Sequence, residues 1–122
     1  PDRIVVGEVR GGELCDLLRA LNTGHEGGCA TVHANSAEDV PARLEALAAL
    51  GGLDRAATHA QIAAALSIVI HVDRQGRQRS VRQIGLLQRQ PSGLVETVPA
   101  WSLEQGKSKL WPGLERLERL LR

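Results

Sequence analysis

A β-branched apolar run, Ile4-Val5-Val6, closes on Gly7 and a lone acid, Glu8, and a second short run, Cys29 to His33, follows a glycine-rich loop and carries Thr31 and His33. Between the two, Leu14, Leu17, Leu18 and Leu21 recur at the i, i+3, i+4, i+7 spacing of one helix face. Strand, helix, strand is the crossover unit of a parallel sheet. It constrains the fold more than anything else here, because such a crossover sets two strands side by side pointing the same way. Ligands of open α/β sheets gather beyond the carboxyl ends of the strands. Glu8 and His33 stand at those ends, so a carboxylate and an imidazole are aimed at one point, as phosphate chemistry on a parallel sheet would need.

The rest of the chain extends this α/β reading. Ser36 to Leu50 is expected to be a second helix, with Asp39 as its N-cap and Pro41 in the first turn. Gly51-Gly52 ends it. Thr58-His59-Ala60-Gln61 has capping-box spacing and should open a third helix to about Leu66. Ser67 to Val72 reads as another β-branched strand. Asp73 to Arg77 is a turn, and Val81–Leu87 and Leu94–Val98 read as antiparallel strands joined around Pro91-Ser92-Gly93. Ser102 to Lys109 reads as a polar linker. Leu114, Leu117, Leu120 and Leu121 mark a short amphipathic helix started by Pro112.

Composition narrows the function classes. A chain of 122 residues is one small domain or a piece of a larger one. A net charge of +1 supplies no global basic field for nucleic acid or an anionic membrane. Aromatic residues are limited to Trp101 and Trp111, which argues against a base-stacking surface. No apolar run reaches bilayer-spanning length. Cys15 and Cys29 form no disulfide framework, and reduced, structural thiols fit a cytosolic setting. The chain lacks Met and opens at Pro1 just before a strand, which reads as a cut.

Glu8 is either a solvated charge at a strand end or a carboxylate that polarises water or holds Mg²⁺ through water. Arg10 shares its side of an extended chain and could meet phosphate or pair with Glu8. Cys29, Thr31 and His33 fall on one face by the strand period of two. A hydroxyl and an imidazole there suit a γ-phosphate sensor, against the ordinary reading of a structural histidine. His25 could position the glycine-rich loop or a water. The spacing of four in His25, Cys29 and His33 would make a metal stripe on a helix. Gly24, Gly27 and Gly28 argue against a helix there, and no fourth ligand is evident. His59 and His71 read as structural.

Pro1-Asp2-Arg3-Ile4-Val5-Val6-Gly7-Glu8-Val9-Arg10-Gly11 resembles the Walker B segment of the type II/IV secretion ATPases, and Asn22-Thr23-Gly24-His25-Glu26-Gly27 with Thr31-Val32-His33-Ala34-Asn35-Ser36 resembles their His box. Arg43-Leu44-Glu45 is similar to the helix that follows. The branch is that of the Flp/Tad pilus-assembly ATPases, including conjugal-transfer-associated members, and the resemblance is strong over residues 1–87. It implies the C-terminal half of a RecA-like P-loop ATPase core over residues 1–73, with an appended antiparallel hairpin, linker and short C-terminal helix over residues 74–122. The Walker A loop that precedes these motifs in the family does not occur among these residues.

The resemblance further implies ATP and Mg²⁺ as ligands of the intact enzyme. Glu8 would be the catalytic carboxylate and His33 the γ-phosphate contact, with His25 and Thr31 supporting the site and Arg10 linking it to a neighbouring element. It implies a homo-hexamer in the cytoplasm, peripheral at the inner face of the cell membrane, that drives pilus assembly or protein export with inner-membrane platform proteins and without direct nucleic acid. The family's P-loop strand lies between the His-box strand and the Ser67–Val72 strand, so a slot is expected between those two. Two other classes stay open: a non-enzymatic module docking to a membrane secretion partner, and a DNA-translocating relative.

The phosphate cradle and its lysine supply most of the triphosphate grip in P-loop enzymes, and these 122 residues contain neither. The isolated chain is therefore expected to hydrolyse no ATP and to bind it weakly. Nucleotide titration calorimetry checks this, and a micromolar affinity would mean the binding groups lie elsewhere.

Overall fold

The computed structural model describes residues 3–25 and 27–122; Pro1 and Asp2 of the first motif and Glu26 of the second lie outside the described residues. Strand β1 (Val5–Val6), helix α1 (Leu14–Asn22) and strand β2 (Cys29–Ala30) form the expected crossover. β1 and β2 are parallel and adjacent, with Val5 level with Cys29 and Val6 with Ala30. The strands are shorter than the runs that announce them, but pairing continues past both ends. The Cys29 amide donates to the Ile4 carbonyl at 3.0 Å and the Val9 amide to the Thr31 carbonyl at 2.9 Å.

The leucine stripe of α1 is the centre of the core. Leu14, Leu17, Leu18 and Leu21 are all buried, and around them lie Val9, Leu44, Leu47 and Ile62. Helix α2 (Val40–Leu50) starts directly after Asp39 with Pro41 in its first turn. It is shorter than the expected Ser36–Leu50, because residues 36–39 form a turn closed by the Asp39 and Val40 amides. The expected Asp39 side-chain cap does not form. Helix α3 (Arg55–Ala65) begins one turn before the capping-box reading placed it. Asp54 is the real cap, accepting from the Ala57 amide at 2.8 Å, and Thr58 instead donates back to the Asp54 carbonyl at 2.7 Å.

A second sheet follows, made of β3 (Ile68–Gln75), β4 (Gln78–Arg89), β5 (Val95–Glu104) and β6 (Lys107–Leu110) in that order, every neighbour antiparallel. The expected Ser67–Val72 strand is thus real but longer. It pairs with β4 and not with β2, so two separate sheets stand where one continuous sheet would put β2 and β3 in line. The expected polar linker, Ser102 to Lys109, is a hairpin. Its turn needs left-handed backbone at two consecutive residues, and Gln105 and Gly106 supply it with φ of 50° and 75°, the requirement of a two-residue I′ turn. Leu86 and Leu87, neighbours on β4, are both buried on opposite faces of the sheet. Leu87 joins the helical core, while Leu86 packs with Ala100 and Leu117 of the short helix α4 (Leu114–Leu120).

His59 ties helices to sheet. The imidazole is buried, and the Val95 amide donates to its Nδ1 at 2.8 Å. The ring proton is therefore on Nε2, which donates to Glu45 Oε2 at 2.8 Å. Glu45 also faces Arg55 at 3.4 Å. One side chain thus joins α2, α3 and β5. The hydrogen bond from His59, with Arg55 nearby, holds the Glu45 carboxyl below the ordinary carboxylate range.

A carboxyl whose pKa falls on folding adds stability that is present above its unfolded pKa and lost as pH drops through its folded one. Thermal midpoints should therefore decline as pH falls below about 4, and Glu45→Gln should flatten part of that decline. His59→Leu should destabilise at neutral pH, by about 1–3 kcal/mol for the stranded Val95 amide alone. Thermal melts across pH measure the first, and denaturant titration the second.

Candidate functional site

The parallel register that pairs Val5 with Cys29 brings the segment after β1 alongside the segment after β2. The two segments are cross-linked where they leave the strands, since the Thr31 hydroxyl donates to the Gly7 carbonyl. Val32 and Ala34 pack against the core, while Cys29, Thr31 and His33 are exposed. The three expected to share a face do so, and the alternation turns the imidazole outward.

Glu8 is the meeting point. Its side chain is only 22% exposed and lies between an exposed guanidinium and an exposed imidazole, with Arg10 Nε donating to Oε2 and His33 Nε2 against Oε1. Oε1 is screened from water and, among the described residues, has no partner other than that His33 contact. The backbone that carries Arg10 is fixed by Glu13, whose Oε1 accepts from the Arg10 amide at 2.9 Å and the Gly11 amide at 3.2 Å. Those amides, Arg10's foremost, hold the Glu13 carboxyl below its usual range. Glu8, Arg10, Thr31 and His33 are therefore assembled at one edge. His25, half-buried, lies in the loop that leads into β2.

Beside this edge an open cleft of about 520 Å³ runs between the two sheets. One wall is residues 30–34, with Thr31 and His33. The opposite wall is β3, from Ile68 to Arg74, with Arg79 of β4. Ile68, Ile70 and Val72 are among the most exposed apolar side chains of the structure. The expected slot between β2 and β3 is thus present as a cleft with apolar lining. Arg74 and Arg79 were not singled out as site residues from sequence. Their place on the wall of the same cleft as His33 depends on how the strands pair and pack, which a single sequence does not display.

A carboxylate held between an imidazole and a guanidinium can orient and polarise a water, and the guanidinium and the imidazole N–H can stabilise developing negative charge. No group of three or more metal-ligating side chains occurs among the described residues, and none of their helices is long and apolar enough to cross a membrane.

Comparison with known proteins gives the context. A family model described as type II/IV secretion system protein matches residues 1–105. A Mycobacterium tuberculosis protein named for conjugal transfer is 61% identical over 110 residues, which are 88% of this chain and 31% of that protein. The probable conjugal transfer protein TrbB of Sinorhizobium fredii is 43% identical over 96 residues, 79% of this chain and 29% of the relative. The type IV secretion system protein PtlH of Bordetella pertussis is 34% identical over 88 residues, 69% of this chain and 26% of its own. The chain therefore spans under a third of the length of these relatives.

The geometry rests on one close approach. A Cβ on Gly28 would stand 2.5 Å from the Ile4 carbonyl oxygen and 2.7 Å from a Leu21 methyl, both closer than van der Waals contact. Gly28→Ala is expected to push β2 off β1 and cost about 1–3 kcal/mol. Gly7→Ala, with nothing within 4 Å of the new methyl, should cost far less. Urea denaturation of the two variants makes the comparison.

Proposed function

The chain belongs to the type II/IV secretion system protein family, and we propose that it is the C-terminal part of a RecA-like P-loop ATPase that couples ATP hydrolysis to protein export or pilus assembly. The observation that carries this reading is the convergence of Glu8, Arg10 and His33 beyond a parallel strand pair, beside a cleft open to β3. The names of the relatives, conjugal transfer and type IV secretion, support a transport role.

In this reading Glu8 is the general base or water-orienting group. Its protein contacts fix the carboxylate before substrate arrives, which is the preorganisation that electrostatic catalysis needs. His33, mostly exposed at 85%, contacts the γ-phosphate. Thr31 holds its segment to Gly7 and sets the spacing between acid and imidazole. Arg10 steadies Glu8 and links it to the loop before α1, and His25 supports the His-box loop. The residues present fit a Mg²⁺–triphosphate end: Glu8 offers a carboxylate that would hold the ion through water, and the ion neutralises phosphate charge when bound. The cleft receives the P-loop strand from the portion of the polypeptide that these residues do not include. The assembled enzyme is a cytoplasmic homo-hexamer, peripheral at the inner face of the membrane and working against platform proteins there.

Glu8→Gln in the complete ATPase keeps the size of the side chain and removes its charge. Phosphate release should fall by orders of magnitude while ATP binding and assembly persist, and His33→Ala should lower turnover less. Near-normal turnover in Glu8→Gln would overturn the assignment.

A further inference from the structure

Two arginines line the cleft from its far wall. Arg74 on β3 and Arg79 on β4 are direct cross-strand partners, and both border the cavity that Thr31 and His33 border from the other side. Like charges directly opposite in an antiparallel pair destabilise it, though solvent screens these two exposed side chains and a nearby acid could offset them. The nearby acid does not: Asp73 turns one oxygen onto the Arg74 amide at 2.7 Å and the other toward Arg82 at 4.0 Å. Arg74 Nε donates to the Gly76 carbonyl at 3.0 Å, and the Arg79 side chain makes no hydrogen bond or ion pair among the described residues. Residues 73–82 carry Arg74, Arg77, Arg79 and Arg82 against Asp73 alone.

We infer that Arg74 and Arg79 form the second, cationic wall of the nucleotide site and grip the polyphosphate of a nucleoside triphosphate opposite His33. The inference rests on the ATPase reading above and adds two binding residues to it. Guanidinium groups match phosphate oxygens in geometry as well as charge and stay protonated at any working pH. Arg74 is the penultimate residue of β3 and His33 lies three residues past β2, so a guanidinium from one wall and an imidazole from the other stand at strand ends. An anion bound between them relieves the repulsion within the arginine pair. The unliganded hairpin therefore carries a destabilising element that the ligand removes.

That coupling separates a binding role from a structural one. In the complete ATPase, Arg74→Gln and Arg79→Gln should each weaken ATP binding about tenfold, the loss of one charge-assisted phosphate contact. AMP, which lacks the β- and γ-phosphates, should lose less. Without nucleotide, the thermal midpoint of either variant should rise, and Arg79→Lys should keep only part of the ATP affinity, having the charge without the guanidinium geometry. Unchanged ATP affinity in both glutamine variants overturns the inference, as does an equal loss for ATP and AMP. A lowered midpoint in Arg79→Gln would make the pair structural and overturn it as well. A folded wild-type enzyme that binds no ATP would sink the ATPase reading and this inference together, whereas wild-type binding retained in both glutamine variants defeats this inference alone.

Discussion

Two strands of two residues each hold the candidate site in place, and their pairing depends on the absence of a side chain at Gly28. The Ile4 carbonyl and a Leu21 methyl occupy the space a Cβ would need. With nothing there, the Cys29 amide reaches the Ile4 carbonyl, Val9 reaches Thr31, and the Thr31 hydroxyl reaches Gly7. So short a ladder could not stand alone. It is held because α1, which connects its strands, buries four leucines into the core, and Val9 just past β1 is buried with them. Burial fixes the crossover, the crossover fixes the register, and the register sets Glu8 beside His33.

The second sheet is joined to this unit by packing and by one polar side chain. Leu87 and Val95 belong to the same core as the α1 leucines. His59 adds direction, because its two ring nitrogens have different partners on different elements. A buried polar group with every hydrogen bond made specifies one arrangement where apolar contact alone would tolerate several. Glu45 lies on α2, which starts directly after the turn at residues 36–39 that follows the His33 segment, so the helix that His59 ties to the sheet is the one that continues the chain from the site.

What was legible in the sequence is what local pattern dictates. The leucine stripe, the acid after Ile4-Val5-Val6, the outward face of Cys29, Thr31 and His33, and the position of Pro41 all follow from spacing. The misses have two physical causes, partners far along the chain and local backbone geometry that residue type does not announce. His59 offered no chemistry in sequence because Glu45 and Val95 lie 14 and 36 residues away. Ser102 to Lys109 reads as linker because β6 is exposed along its whole length and has no apolar alternation to announce it. Its existence depends on left-handed backbone at Gln105 as well as Gly106, and only the glycine is suggestive beforehand. The α3 start was misplaced because Thr58 satisfies its hydroxyl within the helix, while Asp54, four residues earlier, does the capping.

Charge distribution joins these strands of argument. Around the cleft the near edge has one carboxylate, Glu8, already placed between Arg10 and His33, and the far wall has an arginine pair with no acidic partner between its members. The near-edge carboxylate is already held by protein contacts, whereas the far-wall arginines face each other across the ladder and, in the inference drawn above, are the groups an anion would engage. In the proposed ATPase this division suits the two tasks of a hydrolytic site. The group that orients water is held fixed by protein contacts, while the groups that recognise polyphosphate gain most of their stabilisation when it arrives. A site built with both edges satisfied would bind the anion less well, because every new contact would have to replace one already made. The overall net charge of +1 conceals this local asymmetry, which is why composition argues against a basic field while the fold provides one at the cleft.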